Sequence, residues 1–232
     1  MAFILIALLT PYLSGQEPSA TKLLKFKKNK QIPRVIEQHV LTALSYYPEL
    51  KDTHIRFVFS RRLQRSVMAA RPVVTSLLGN RKKRSYTILI NPVFKLKHRV
   101  DPVRQIPDEV LIGWIGHELG HIMDYEQRDV WGIAAFGISY GLSRKYIRKA
   151  ERVADTFAIS HGMGHYLVAT KNFILDHAEL PQRYKNKIAE LYLSPDDIME
   201  LVTELEETNQ QQGSEVLEEE GRVDDEIGKR RT

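Results

Sequence analysis

The chain has 232 residues, 43% of them hydrophobic, which is enough to bury one sizeable core and excludes collagen-like or wholly disordered classes. It contains no cysteine, which excludes a disulfide framework, a cysteine nucleophile and any thiolate-held metal, so a bound metal must sit on His, Asp and Glu. The formal net charge is +5, carried in clusters without interleaved aromatics, so a nucleic-acid partner is not expected, while a peripheral contact with a membrane surface stays open.

Residues 1–13 are almost wholly apolar and are followed by Ser14, Gly15 and Gln16. The run is too short to span a bilayer and reads as a signal peptide over residues 1–15. Cleavage would export the protein to a periplasm or the medium; otherwise it would be membrane-associated or cytoplasmic. Residues 16–31 read as a flexible basic lead-in, and residues 32–207 as the folded domain. Pro33 opens a helix in which Val35, Ile36, Val40, Leu41 and Leu44 recur at helical spacing, with a stop before Pro48. Residues 54–60 read as a strand. Residues 61–84 are basic and irregular, with Pro72 and Gly79-Asn80 as breakers. Residues 86–91 form a second strand, ended by Pro92.

From Pro107 the pattern is helical. Asp108 and Glu109 place negative charge at the start of a helix expected to run to about Tyr125. Residues 130–142 are so apolar that they read as a core-buried helix, too short for a membrane span. Ser143 caps a further helix that Gly162 ends. Helices are expected over 166–177 and 182–192, and Ser194-Pro195-Asp196-Asp197 starts another. Residues 208–232 read as an acidic, disordered tail.

The chemistry gathers at Gly116-His117-Glu118-Leu119-Gly120-His121, an HExxH motif. Two histidines four apart on a helix share a face, so both imidazoles can meet one ion, while Glu118 is offset toward a water. Gly113 and Gly120 share that face, which suggests close approach by another element or a ligand. About 30 residues downstream, Glu151 and Asp155 lie on one otherwise apolar helix face with Ile147, Ala154 and Ala158. Two carboxylates there are costly to bury unless a metal and a histidine satisfy them.

HExxH followed by Glu151-Arg152-Val153-Ala154-Asp155 resembles the gluzincin zinc metallopeptidases, and is most similar to their HtpX and CAAX-prenyl-protease group. The resemblance covers about residues 109–162. It implies an α+β, mostly helical zincin-like fold in which a small sheet packs on the HExxH helix and C-terminal helices support Glu151. It makes His117, His121 and Glu151 the ligands of one Zn2+ per chain, Glu118 the general base and Asp155 the partner that orients His117. It implies a peptide or protein substrate, paired with the 86–91 strand as an edge. His161, His165 and Tyr166 are candidates for the transition-state donor. The basic segment 61–84, Arg81 to Arg84 above all, would then favour acidic peptides. The rival readings are a catalytically inactive gluzincin-fold binding module and a basic protein that binds nucleic acid or a membrane surface.

Overall fold

The structure, a computed structural model, describes residues 20–63, 66–96 and 100–229. In chain order these form α1 (Ala20–Leu23), β1 (Lys30–Gln31), α2 (Glu37–Ser45), β2 (His54–Phe59), β3 (Met68–Pro72), α3 (Val74–Leu77), β4 (Ser85–Ile90), β5 (Val93–Lys95) and β6 (Val100–Pro102). Six longer helices follow among the described residues: α4 (Asp108–Gln127), α5 (Val130–Leu142), α6 (Arg144–Ser160), α7 (Gly164–Asp176), α8 (Gln182–Leu191) and α9 (Pro195–Lys229). The fold is α+β and mostly helical, with a small mixed sheet, as expected.

The sheet runs β1-β2-β4-β3. Strands β1, β2 and β4 are parallel, and β3 lies antiparallel to β4 in the register Met68 to Ile90, Ala70 to Ile88 and Pro72 to Tyr86. Strand β4 alternates strictly: Tyr86, Ile88 and Ile90 are fully buried while Ser85, Thr87 and Leu89 are half-covered on the other face. Helix α4 lies at the centre of the molecule and packs against α2, β3, α6 and α7. It is buried without interruption from Val110 to Ile122, so its surroundings must leave room for it on every side.

Three glycines supply that room. A Cβ at Gly120 would lie 2.3 Å from the Ala154 carbonyl oxygen of α6, and one at Gly113 would lie 2.4 Å from the Tyr166 carbonyl oxygen of α7. A Cβ at Gly116 would strike the Met163 side chain. The close approach expected at Gly113 and Gly120 is thus made by two different helices. Helix α4 is also tied down at its middle and at its C-terminal end. Tyr47 donates its hydroxyl to the Gly116 carbonyl at 2.7 Å, and buried Arg84 donates to the carbonyls of Tyr125 and Arg128 at 3.2 and 2.7 Å. A guanidinium at the carbonyl end of a helix satisfies acceptors that have no partner within the helix.

Several expectations need correction. Residues 20–31 are folded rather than a flexible lead-in. Leu23 and Phe26 are buried, and Lys30 Nζ donates to the carbonyls of Leu50, Lys51 and Thr53 at 2.6 to 3.0 Å, which holds β1 beside β2. The substrate-edge role expected for residues 86–91 does not fit β4, which is paired on both sides; the edge strand beside it is β3, inside the segment read as irregular. Arg84 is consumed in closing α4, so it is not a surface charge. Helix α5 is not a core helix: only Ile133 and Phe136 are buried, while Trp131 and Leu142 are 82% and 83% exposed. Helix α9 continues to Lys229 through the segment expected to be disordered; Glu, Gln and Leu are good helix formers. The signal peptide expected over residues 1–15 lies outside the described residues. Among the described residues no helix is long and apolar enough to cross a membrane.

Candidate metal centre

Helix α4 presents His117 and His121 one turn apart, with ring centroids 4.8 Å apart and planes nearly perpendicular. Helix α6, drawn close by Gly120, brings Glu151 against both. His117 Nε2 lies 3.0 Å and His121 Nε2 3.3 Å from the same oxygen, Glu151 Oε2. All three side chains are buried, and their donor atoms lie within 4.8 Å of one another. This group can hold a metal ion.

The two separations to Glu151 Oε2 suit a tetrahedral ion. Ligand bonds of about 2.0–2.1 Å at tetrahedral angles put donor atoms roughly 3.3 Å apart, close to the two distances here. The protonation chemistry points the same way. His117 Nδ1 faces Asp155 Oδ1 at 2.8 Å and carries its hydrogen there. A neutral His117 would then aim the Nε2 lone pair at a carboxylate oxygen, a contact that requires a cation or a second proton between them. Burial alone would lower the His117 pKa, but the Asp155 and Glu151 carboxylates overcome it and raise it to about 10. A proton therefore occupies the place that suits a metal. Burial would raise the Glu151 pKa, but the bonds from His117 and His121 hold it well below the usual carboxylate range.

A second layer supports His117. Asp155 is fully buried and accepts from Lys171 Nζ at 3.2 and 3.1 Å and from the Leu193 backbone N–H at 3.1 Å. Lys171, itself buried on α7, sits over the Tyr192 ring at 4.2 Å, and that ring lies 5.3 Å from the ring of His117. Burial would raise the Asp155 pKa, and Lys171 and then His117 reverse this, so Asp155 stays ionised.

Glu118 turns toward β3 while still bordering His117. It accepts the Ala70 backbone N–H from the edge strand β3, and it lines a cavity of about 30 Å³ with His117, Met68, Trp114, Tyr184 and Tyr192. That volume has room for a water molecule or two. Burial raises the Glu118 pKa above the ordinary glutamate value, opposed by His121 and His117. Such a carboxylate is suited to taking and returning a proton.

His161, His165 and Tyr166 are not brought to this group. His161 lies ten residues beyond Glu151, as the C-cap of the same helix, which is about 15 Å along the axis. Its ring stacks on Tyr47 at 4.5 Å and its Nδ1 faces the Phe157 carbonyl at 2.7 Å. The His165 and Tyr166 rings pack on each other at 3.9 Å, and Tyr166 also meets Tyr46 edge-on. The hydroxyl at the centre is instead that of Tyr140 on α5, which donates to Glu151 Oε1. Tyr140, Lys171 and Tyr192 were not singled out from the sequence. Tyr140 is eleven residues before Glu151 in an apolar run, and nothing in its spacing marks it. Lys171 had a signal: it is the one cation among inward positions otherwise held by Gly164, Tyr166, Leu167, Thr170 and Ile174. No family model matches the chain, and neither a curated protein nor a solved structure matches it.

Proposed function

We propose that the chain is a zinc-dependent endopeptidase of gluzincin type, with His117, His121 and Glu151 holding the ion and Glu118 as general base. The observation that carries this reading is the convergence of two imidazole Nε2 atoms on one buried carboxylate oxygen, at 3.0 and 3.3 Å. Two neutral imidazoles and one carboxylate, with no thiolate, form a donor set that suits zinc in catalytic sites.

When bound, zinc would supply Lewis acidity, making a water easier to ionise near neutral pH and polarising the scissile carbonyl. The chain's own groups do the rest. Glu118 takes a proton from the water as its oxygen bonds to the carbonyl carbon, then gives that proton to the amine as the C–N bond breaks. Asp155, held ionised by Lys171, fixes the His117 ring and keeps its Nε2 directed inward. Tyr140, whose pKa is raised by burial and by Glu151, stays protonated and is our candidate for the oxyanion donor.

Strand β3 supports a peptide substrate in particular. Val67 and Val73 bond to β4 neighbours, so the alternate residue Ala70 directs its backbone groups away from the sheet. Its N–H meets Glu118 and its carbonyl meets the Tyr125 hydroxyl, both from α4. An extended peptide added along this edge would take over these two contacts from Glu118 and Tyr125 and so run past the general base. The test is turnover of casein and of fluorogenic peptide libraries by the full chain. The reading expects hydrolysis that a chelator stops, zinc restores and Glu118→Gln abolishes while zinc stays bound. Hydrolysis that survives Glu118→Gln would contradict it.

A further inference from the structure

Helix α5 has two dissimilar sides. The inner side carries Ile133 and Phe136, both buried, and Tyr140, which reaches Glu151. Phe136 packs edge-on against Tyr125 and Tyr146. The outer side carries Trp131 at 82%, Ile138 at 65% and Leu142 at 83% exposure. Ala134 and Ala135, also exposed, lie between them at helical spacing. A Cβ at Gly137 or Gly141 would meet nothing within 4 Å, so at these two positions no other described residue stands over the helix. An outward stripe with a tryptophan at one end and a leucine at the other marks a binding surface rather than ordinary surface variation.

Charge identifies what would cover it. From Val130 to Ala150 the sequence has no Asp or Glu, and the apolar helix leads straight into Arg144, Lys145, Arg148 and Lys149. Glu190 of α8 engages Arg144 at 2.8 Å and Arg148 at 3.8 Å. Lys145 and Lys149 are exposed and take no ion-pair partner among the described residues. The acid at the other end, Asp129, is turned to the Gly132 N–H as the helix cap, and Asp124 is held by Arg128 at 2.8 Å. An apolar face with tryptophan, flanked by lysines and free of acids, matches a bilayer whose headgroups are negative. The helix is about 20 Å long, against a hydrocarbon core of about 30 Å, so it can lie in the interface but cannot cross.

We propose that α5 is a lipid-docking helix: Trp131, Ile138 and Leu142 enter the interface of an anionic bilayer, and Lys145 and Lys149 meet its headgroups. Because Tyr140 on the inner side bonds Glu151, the docked surface lies at the rim of the metal centre. Substrates presented at or near a membrane would thereby be favoured.

The test uses the full chain with phosphatidylcholine vesicles containing about one third phosphatidylglycerol. Only two tryptophans are present, and Trp114 is buried, so the vesicle-dependent signal can be assigned by comparison with Trp131→Phe. The expected result is a blue shift and quenching by brominated lipid that Trp131→Phe abolishes. Co-sedimentation should fall about tenfold in I138E/L142E and lose its dependence on phosphatidylglycerol in K145E/K149E. Unchanged circular dichroism and zinc content would show both variants folded. Undiminished binding by I138E/L142E would assign membrane contact to the apolar residues 1–13 and overturn the proposal. A Trp131 shift that follows protein concentration without lipid would overturn it too, with a second copy as the occupant.

Discussion

His117 stands between two carboxylates, and its two ring nitrogens have different partners. Nδ1 gives its hydrogen to Asp155, so Nε2 faces Glu151 with either a proton or a metal between them. Because the folded pKa is raised to about 10, against roughly 6.5 in an unfolded chain, the metal-free protein holds one extra proton in that interval. The stability this contributes is complete below about pH 6.5 and is lost as pH rises through about 10. On the proposed reading, a zinc ion entering the site would have to displace that proton. Titration of the metal-free chain with zinc at about pH 8, in buffers of different ionisation enthalpy, should therefore report release of about one proton per ion from His117. No buffer dependence would contradict the assignment. Farther out, Asp155→Asn should weaken zinc binding about 10- to 100-fold. Lys171→Met should act in the same direction by leaving the Asp155 charge without its ammonium, and competition with a chelator of known affinity measures both.

The relation of α4 to α6 decides whether the three ligands meet, and Gly120 decides how closely those helices approach. Gly120→Ala places a methyl 2.3 Å from a backbone oxygen that no rotamer can move. It should cost about 2–3 kcal/mol in urea unfolding and loosen zinc more than Gly137→Ala, whose added Cβ meets nothing within 4 Å. The HExxH helix, the cap at Ser143 and the carboxylate pair on α6 were legible in the sequence because each depends on spacing within one element. Strand β3 was not. It has only five residues, carries an Arg and ends on Pro72, and it is a strand because β4 offers it an edge. The exposure of α5 was hidden for the opposite reason: its residues obey the rule for a buried helix, and only tertiary placement shows one side uncovered. Tyr140 reached the centre by that same placement.

Across the whole molecule, the candidate metal centre joins parts that are far apart in sequence. Helix α4 rests on the sheet through β3 and, at its far end, through Tyr86, which donates to Glu126 at 2.7 Å; α6 and α7 complete the site from the other side. Zinc that binds only the folded form should therefore stabilise the whole fold, by about 4 kcal/mol when free zinc is about 1,000 times its dissociation constant. A chelator should lower the thermal midpoint of the wild type and leave that of Glu151→Ala unchanged. The most direct measurement is the metal content of the full chain, purified without a metal-affinity tag and dialysed against metal-free buffer. The account expects about one zinc per chain, lost in Glu151→Ala while circular dichroism shows the helices intact. A folded wild-type chain that takes up no zinc at neutral pH, or one whose zinc survives Glu151→Ala undiminished, would contradict it.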